Sequence, residues 1–136
     1  MSFTRICRLA GSAGILAIFL LSVVPGSMRP HVLASGGSEH FFAYALTALA
    51  WLAGYGHGIR GVTIAAMMTA YAGLLEILQA IVPGRDSKWE DFAAGASGVW
   101  GAFALCLLIR LGRNFLVGQP SHQNSHQHEA TKKGEG

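Results

Sequence analysis

The chain has 136 residues, of which 51% are hydrophobic and 12% are charged, and its formal net charge is +3. The charged share is about half of the roughly 25% that soluble globular proteins carry, and the mean hydropathy is +0.40. These values exclude a soluble enzyme of ordinary composition and indicate an integral membrane protein. Since no basic run is interleaved with aromatic side chains, the sequence also excludes an obvious nucleic-acid surface.

The first apolar stretch runs from Leu9 to Val24 and follows two arginines. A basic start before an apolar stretch is also typical of a signal peptide. No motif of small residues suited to cleavage follows Val24 closely, because Pro25 and Gly26 come next. We therefore expect an uncleaved membrane anchor that ends at the turn formed by these two residues.

Three further apolar stretches follow, and clusters of glycine and proline separate them. A membrane-spanning helix needs about 20 residues to cross a hydrocarbon core of about 30 Å, and each stretch reaches that length with its flanks. The stretches lack the two-residue alternation of strands. We therefore predict an all-α protein, a four-helix transmembrane bundle within residues 1–117, whose helices span about 9–25, 39–56, 62–82 and 88–111.

Two of these helices have predicted start signals. Ser87 and Glu90 have the spacing of a capping box, in which Ser87 would be the N-cap of the fourth helix. Ser38 is placed to cap the second helix, with Glu39 in the first turn, where a carboxylate suits the helix dipole. Both signals lie on the same side of the predicted membrane.

Lysine and arginine are distributed unevenly between alternate loops, with seven on one side of the predicted membrane and three on the other. Cytoplasmic loops are enriched in these residues. We therefore predict that both termini lie in the cytoplasm and that loops 25–39 and 83–91 face outward. The seven are Arg5, Arg8, Arg60, Arg110, Arg113, Lys132 and Lys133, and the three are Arg29, Arg85 and Lys88.

The cysteines and the C-terminal tail carry no predicted chemistry. Cys7 and Cys106 lie near the predicted cytoplasmic side, where thiols stay reduced, so no disulfide is expected. Residues 118–136 lack an apolar pattern, and we predict that they are disordered. Histidines in such a polar tail are seldom a genuine metal site, and here they are His122, His126 and His128.

Polar side chains in the predicted membrane segments are informative, because burying an unpaired polar group in lipid is costly. Such side chains lie near the same outer surface in the second, third and fourth predicted helices and in the loop between the third and the fourth. We expect them to form one polar pocket, composed of Glu39, His40, Tyr44, Glu76, Gln79, Arg85 and Asp91. Small residues at helical spacing continue from Asp91 and predict close helix packing through Gly95, Gly98 and Ala102.

Two interpretations of this pocket stay open. Arg85 is close enough in sequence to pair with Glu76 or Asp91, and a buried ion pair of this kind is often structural. An ionisable group within the membrane is by default functional, which favours a ligand site. A zinc site from Glu39, His40 and Glu76 is disfavoured by the single helical histidine and the absence of a nearby cysteine, so no metal or cofactor is predicted.

The same residues resemble the two signatures of the VanZ-like membrane proteins. The stretch from Glu39 to Leu46 is similar to the first, an H-x-x-x-Y at the start of a transmembrane helix. The second signature consists of E-x-x-Q, then G-R, then an aspartate and a glycine-rich helix. Here residues 76–79, Arg85, Asp91 and Gly98 are similar to these parts in turn. Together the two motifs span residues 25 to about 105.

The chain departs from the family pattern at three positions. Gly36 and Gly37 stand where the family commonly has an Asp-Lys pair, and Gly95 stands where it often has asparagine. The resemblance implies a small bacterial inner-membrane protein of the type linked to resistance to the glycopeptide teicoplanin, and it supplies no reaction. We accordingly expect a lipid or other envelope-associated amphiphile as the ligand of the outward pocket.

Two other functions remain as alternatives. Arg85, Asp91 and the glycines after them are similar to the last motif of type 2 phosphatidic acid phosphatases, which suggests a lipid-phosphate hydrolase. The nucleophilic histidine that this chemistry needs is absent between Arg85 and Asp91. A structural membrane subunit is the second alternative, and it predicts that substitutions in the polar pocket leave function unchanged.

Overall fold

The computed structural model describes residues 1–25, 28, 36–56, 58–85 and 87–117. These residues form four α-helices and no strand, which confirms the predicted all-α fold. The predicted disordered tail, with its three histidines, lies outside the described residues, as does Arg29. The helices are α1 (Phe3–Val23), α2 (Gly36–Tyr55), α3 (Ile59–Gln79) and α4 (Trp89–Val117).

Three of the helices, α1, α3 and α4, are long and apolar enough to cross a membrane. The 20 residues of α2 have a similar length, but its first turns include Ser38, Glu39 and His40, which lower the hydropathy of this helix. Large apolar side chains cover the outer faces of the bundle, where Leu74 and Ile77 are 61% and 70% exposed. Surfaces of this kind are suited to lipid rather than water, as the composition predicts.

The observed helix ends differ from the predicted ones. Helix α1 begins at Phe3 and α4 continues to Val117, because the flanking arginines remain helical beyond the apolar segments. Helix α3 ends at Gln79, and a turn containing Gly84 at φ 71° follows. Glu76 therefore lies in the last turn of α3, nearer to the helix end than the sequence predicts.

The helices alternate in direction along the chain, and α2 has a central position. It packs against α1, α3 and α4, whereas α1 and α4 do not contact each other within the described residues. The start of α2, the end of α3 and the start of α4 consequently lie at one end of the bundle. We call this the pocket end, and the opposite end, where α1 begins and α2 finishes, the arginine end.

Helices α2 and α4 approach each other closely where α4 has small residues. A Cβ added at Gly98 of α4 would overlap the Phe41 carbonyl oxygen of α2, and one at Gly95 would lie 3.0 Å from the Tyr44 ring. Ala102 is 4% exposed on the same face of α4. The strip predicted from the sequence therefore lies against α2 and allows the close contact on which helix association in lipid depends.

At the arginine end, Arg8 of α1 contacts the last turn of α2. The Nε–H of Arg8 on α1 donates to the Gly54 carbonyl oxygen at the end of α2, at 2.9 Å. The same guanidinium lies over the Tyr55 ring, 4.5 Å from its centroid. Arg8 thus satisfies a carbonyl that the end of α2 leaves without a helical partner, and its charge suits the negative end of the helix dipole.

Candidate functional site

Three side chains with metal-ligating or proton-accepting atoms meet at the pocket end. His40 comes from α2, Glu76 from α3 and Asp91 from α4, and one nitrogen or oxygen atom of each lies within 4.8 Å of the others. The Nε2 atom of His40 is 3.8 Å from Oε1 of Glu76. The alternating helix directions bring these residues, which are distant in sequence, to one depth.

Glu76 is held by the chain segment that leads into α4. Its Oε2 atom accepts hydrogen bonds from the Ser87 hydroxyl and from the Lys88 backbone N–H, both at 3.2 Å. Ser87, the predicted N-cap, therefore donates its hydroxyl to Glu76, and α4 begins at Trp89. These bonds fix one carboxylate oxygen and direct the other towards His40.

His40 is oriented by its own helix. Its Nδ1 atom lies 2.9 Å from the Gly36 carbonyl oxygen, and because a carbonyl oxygen only accepts hydrogen bonds, Nδ1 carries the proton. In the neutral imidazole, Nε2 then has a lone pair directed at the carboxylates. The ring also stacks on Tyr44, with centroids 6.4 Å apart and an interplanar angle of 16°.

Asp91 lies in the first turn of α4, where the helix dipole favours a carboxylate. Its carboxylate faces the start of α2, since a Cβ added at Gly36 or Gly37 would lie 3.7 or 3.8 Å from its nearest oxygen. Within the part of the chain that the structure describes, the side chain of Asp91 has no hydrogen bond and no ion pair. It is therefore available to an incoming donor or cation.

With a neutral imidazole, the three side chains present three converging acceptor atoms and no donor among themselves. Among the described residues, neither Glu76 nor Asp91 forms an ion pair with a lysine or an arginine. Arg85, which the sequence places near these carboxylates, donates through a guanidinium nitrogen to the Leu21 carbonyl oxygen at the end of α1. Such an arrangement attracts a cation or a hydrogen-bond donor from outside the cluster.

The remaining predicted pocket residues surround this cluster. Tyr44 is 2% exposed and packs between His40 and Gly95. Gln79 is 3% exposed in the last turn of α3, on the same face as Glu76. Glu39 is half-buried in the first turn of α2, next to His40, and the three-residue cluster does not include it.

An open groove of about 430 Å³ runs beside the cluster between α3 and α4. Its walls are mainly apolar, and Glu76 and Ser87 supply polar atoms. Trp89 and Phe92 are not among the predicted pocket residues, although a tryptophan at the start of a transmembrane helix is a recognisable interfacial signal. The lining residues are Gly73, Glu76, Ile77, Ala80, Ser87, Trp89 and Phe92.

Comparisons with protein-family models, with curated proteins and with solved structures found no match to this chain.

Proposed function

We propose that the chain is a VanZ-like protein of a bacterial inner membrane that binds an amphiphilic, envelope-associated ligand at the pocket end. The observation that carries this proposal is the convergence of His40, Glu76 and Asp91 beside an apolar groove. His40 belongs to the first motif of the resemblance, and Glu76 and Asp91 belong to the second. Motifs separated in sequence thus contribute side chains to one cluster.

The groove combines apolar walls with a few polar atoms, as an amphiphile combines a hydrocarbon chain with a polar headgroup. Ile77, Trp89 and Phe92 offer apolar surface for a hydrocarbon chain, whereas Glu76 and Ser87 are polar. A headgroup with hydroxyl or amine donors would meet the carboxylates of the cluster while the chain lies along the groove. Since the groove is open at its side, the ligand would enter from the membrane without crossing the bundle.

The proposed orientation places this pocket on the outer side of the membrane. The starts of α1 and α3, which carry Arg5, Arg8 and Arg60, lie at the arginine end, opposite the cluster. With this end in the cytoplasm, the charge distribution follows the positive-inside rule. A reporter active only in the cytoplasm should work when fused after Gly118, and activity of a periplasmic reporter at that position would contradict the orientation.

The physiological role follows from the resemblance and forms part of the same proposal. An outward pocket for an envelope amphiphile suits a contribution to glycopeptide resistance or to envelope homeostasis. Gly36 and Gly37, which replace the family's Asp-Lys pair, lie beside Asp91. Ligand preference is therefore expected to differ from that of members that carry a lysine at this position.

Mass spectrometry of lipids that copurify with the protein tests the proposed ligand class. A Cβ at Gly73 would be 3.5 Å from the Phe92 ring, so Gly73→Leu fits the backbone and fills part of the groove. Gly101→Leu is the matched control, because nothing lies within 4 Å of a Cβ there. Wild type and the control should retain a bound amphiphile that Gly73→Leu loses. Identical lipid contents in all three proteins would contradict the proposal.

A further inference from the structure

We propose that His40, Glu76 and Asp91 bind a divalent first-row transition-metal ion through Nε2, Oε1 and a carboxylate oxygen. This site goes beyond the amphiphile function and does not depend on it. It also differs from the metal-free pocket that the sequence predicts, because folding brings Asp91, rather than Glu39, to the other two residues.

The distances among the three side chains fit one ion. Zinc binds nitrogen and oxygen at about 2.0–2.2 Å, so two ligands of one ion lie about 3.4 Å apart at a tetrahedral angle. His40 Nε2 and Glu76 Oε1 are 3.8 Å apart, and all three ligand atoms lie within 4.8 Å of one another. Shifts of less than about 1 Å, within the reach of side-chain torsions, would complete the coordination.

The hydrogen bond from His40 to the Gly36 carbonyl oxygen is a second, independent observation. Histidines that bind metals usually donate their other ring N–H to a carbonyl or a carboxylate, which fixes the tautomer. Here that bond involves Nδ1 and leaves Nε2 as the ligand. Without a cation, the Nε2 lone pair would face Glu76 and Asp91, which are acceptors as well.

Burial and charge indicate a doubly charged ion. The side chains of His40 and Glu76 are 10% and 11% exposed, and burying a carboxylate without a positive partner is costly. Among the described residues, no lysine or arginine pairs with Glu76 or Asp91. A divalent ion would balance the two carboxylates while the imidazole remains neutral.

The donor set defines the class of metal. One imidazole nitrogen and two carboxylate oxygens suit zinc or manganese, whereas the absence of a thiolate disfavours softer ions. Three protein ligands would leave at least one coordination position open. Glu76 also lines the groove, so a ligand in the groove could reach that position.

A proton on His40 is the competing explanation, since an imidazolium would also face the carboxylates. At 3.8 Å, Nε2 and Glu76 Oε1 are within ion-pair distance, so an imidazolium would pair with Glu76 and leave the cluster without a metal ion. The two explanations differ in metal content, which can be measured directly.

The experiment uses the full chain, purified in detergent without a polyhistidine tag and dialysed against zinc, with metal quantified by mass spectrometry. Glu76→Gln and Asp91→Asn remove ligands while they retain side-chain shape. In Glu76→Gln, the amide oxygen still accepts from Ser87 and Lys88. Glu90→Gln is the matched control, because Glu90 is exposed and adjacent to Asp91 but outside the cluster.

Wild type and Glu90→Gln should bind about one more zinc ion per chain than Glu76→Gln or Asp91→Asn, and zinc should raise their Tm. Every variant has the same tail histidines, so binding by the tail cancels in this comparison. Equal zinc content in all four folded proteins would overturn the proposal. Gly73→Leu separates the two proposals, since it should retain the ion even where it loses the amphiphile.

Discussion

The two ends of the bundle use polar side chains in opposite ways. At the arginine end, Arg8 supplies a donor to the Gly54 carbonyl oxygen and a cation to the Tyr55 ring, so this donor and this acceptor satisfy each other. At the pocket end, His40, Glu76 and Asp91 bring acceptors together without a donor between them. The first arrangement stabilises the fold, and the second leaves an interaction to be completed by something else.

A charged group near a membrane helix end is therefore not by itself a sign of function. Arg85 illustrates this at the pocket end, where its guanidinium donates to the Leu21 carbonyl oxygen. That contact resembles the one that Arg8 makes with Gly54. In both contacts a guanidinium donates to a carbonyl oxygen of a neighbouring helix.

Gly98→Leu should have the largest effect, because it separates the helices on which the pocket end depends. Its Cβ would overlap the Phe41 carbonyl oxygen, and backbone cannot move aside as a flexible side chain can. We expect a loss of about 3 kcal/mol in the free energy of unfolding, together with lower accumulation in the membrane. Thermal unfolding in detergent measures the first effect. Gly101→Leu, which meets no atoms, should leave both unchanged.

Glu76→Ala should have the next largest effect. It removes the acceptor for the Ser87 hydroxyl and the Lys88 N–H and should cost about 2 kcal/mol of stability. Glu76→Gln retains an oxygen for these donors, and its amide N–H can donate to His40, so its stability should remain near that of wild type. Denaturant unfolding compares the two variants. Equal losses would show that the negative charge itself stabilises the fold.

Arg8→Met tests the arginine end with a side chain of similar length. Loss of the hydrogen bond to Gly54 and of the contact with the Tyr55 ring should cost about 1 kcal/mol. Zinc content should not change, because Arg8 lies at the opposite end of the bundle. Thermal unfolding and metal quantification on the same sample check both statements, and a fall in zinc content would contradict the separation of the two ends.

Gly37→Lys should have the smallest effect on stability and a selective effect on binding. A Cβ there makes only ordinary contacts, 3.8 Å from Ala94 and from Asp91, so stability should change by less than about 0.5 kcal/mol. The new ammonium can pair with Asp91 and compete with a metal ion. Gly37→Gln, which adds a similar side chain without charge, is the control and should retain zinc. Zinc binding by the lysine variant equal to wild type would contradict this prediction.

The sequence predicts much of the fold because the helices follow directly from the apolar stretches and the glycine and proline breaks between them. It also places His40, Glu76 and Asp91 near one surface, since helical rise and alternating directions fix their depth. The common depth of these three residues can therefore be predicted from the sequence without knowledge of side-chain positions.

The contacts of the loop between α3 and α4 could not be predicted in the same way. The capping pattern at Ser87 predicts a local hydrogen bond, but Glu76 competes for that hydroxyl from a different helix. Arg85 has a carboxylate on either side in the sequence, yet its guanidinium contacts α1. Both outcomes depend on the path of the loop and on side-chain torsions, which have no periodic signal in the sequence.

X-ray absorption at the zinc edge reports the atoms bound to the ion and therefore distinguishes a site at the pocket end from one elsewhere in the chain. The full chain is loaded with one equivalent of zinc, and wild type is compared with Asp91→Asn. Zinc bound by His40, Glu76 and Asp91 should give a wild-type spectrum with one imidazole nitrogen and carboxylate oxygens, and a changed spectrum in the variant. A spectrum dominated by several imidazoles and unaffected by Asp91→Asn would place the metal elsewhere and exclude a zinc site at the pocket end.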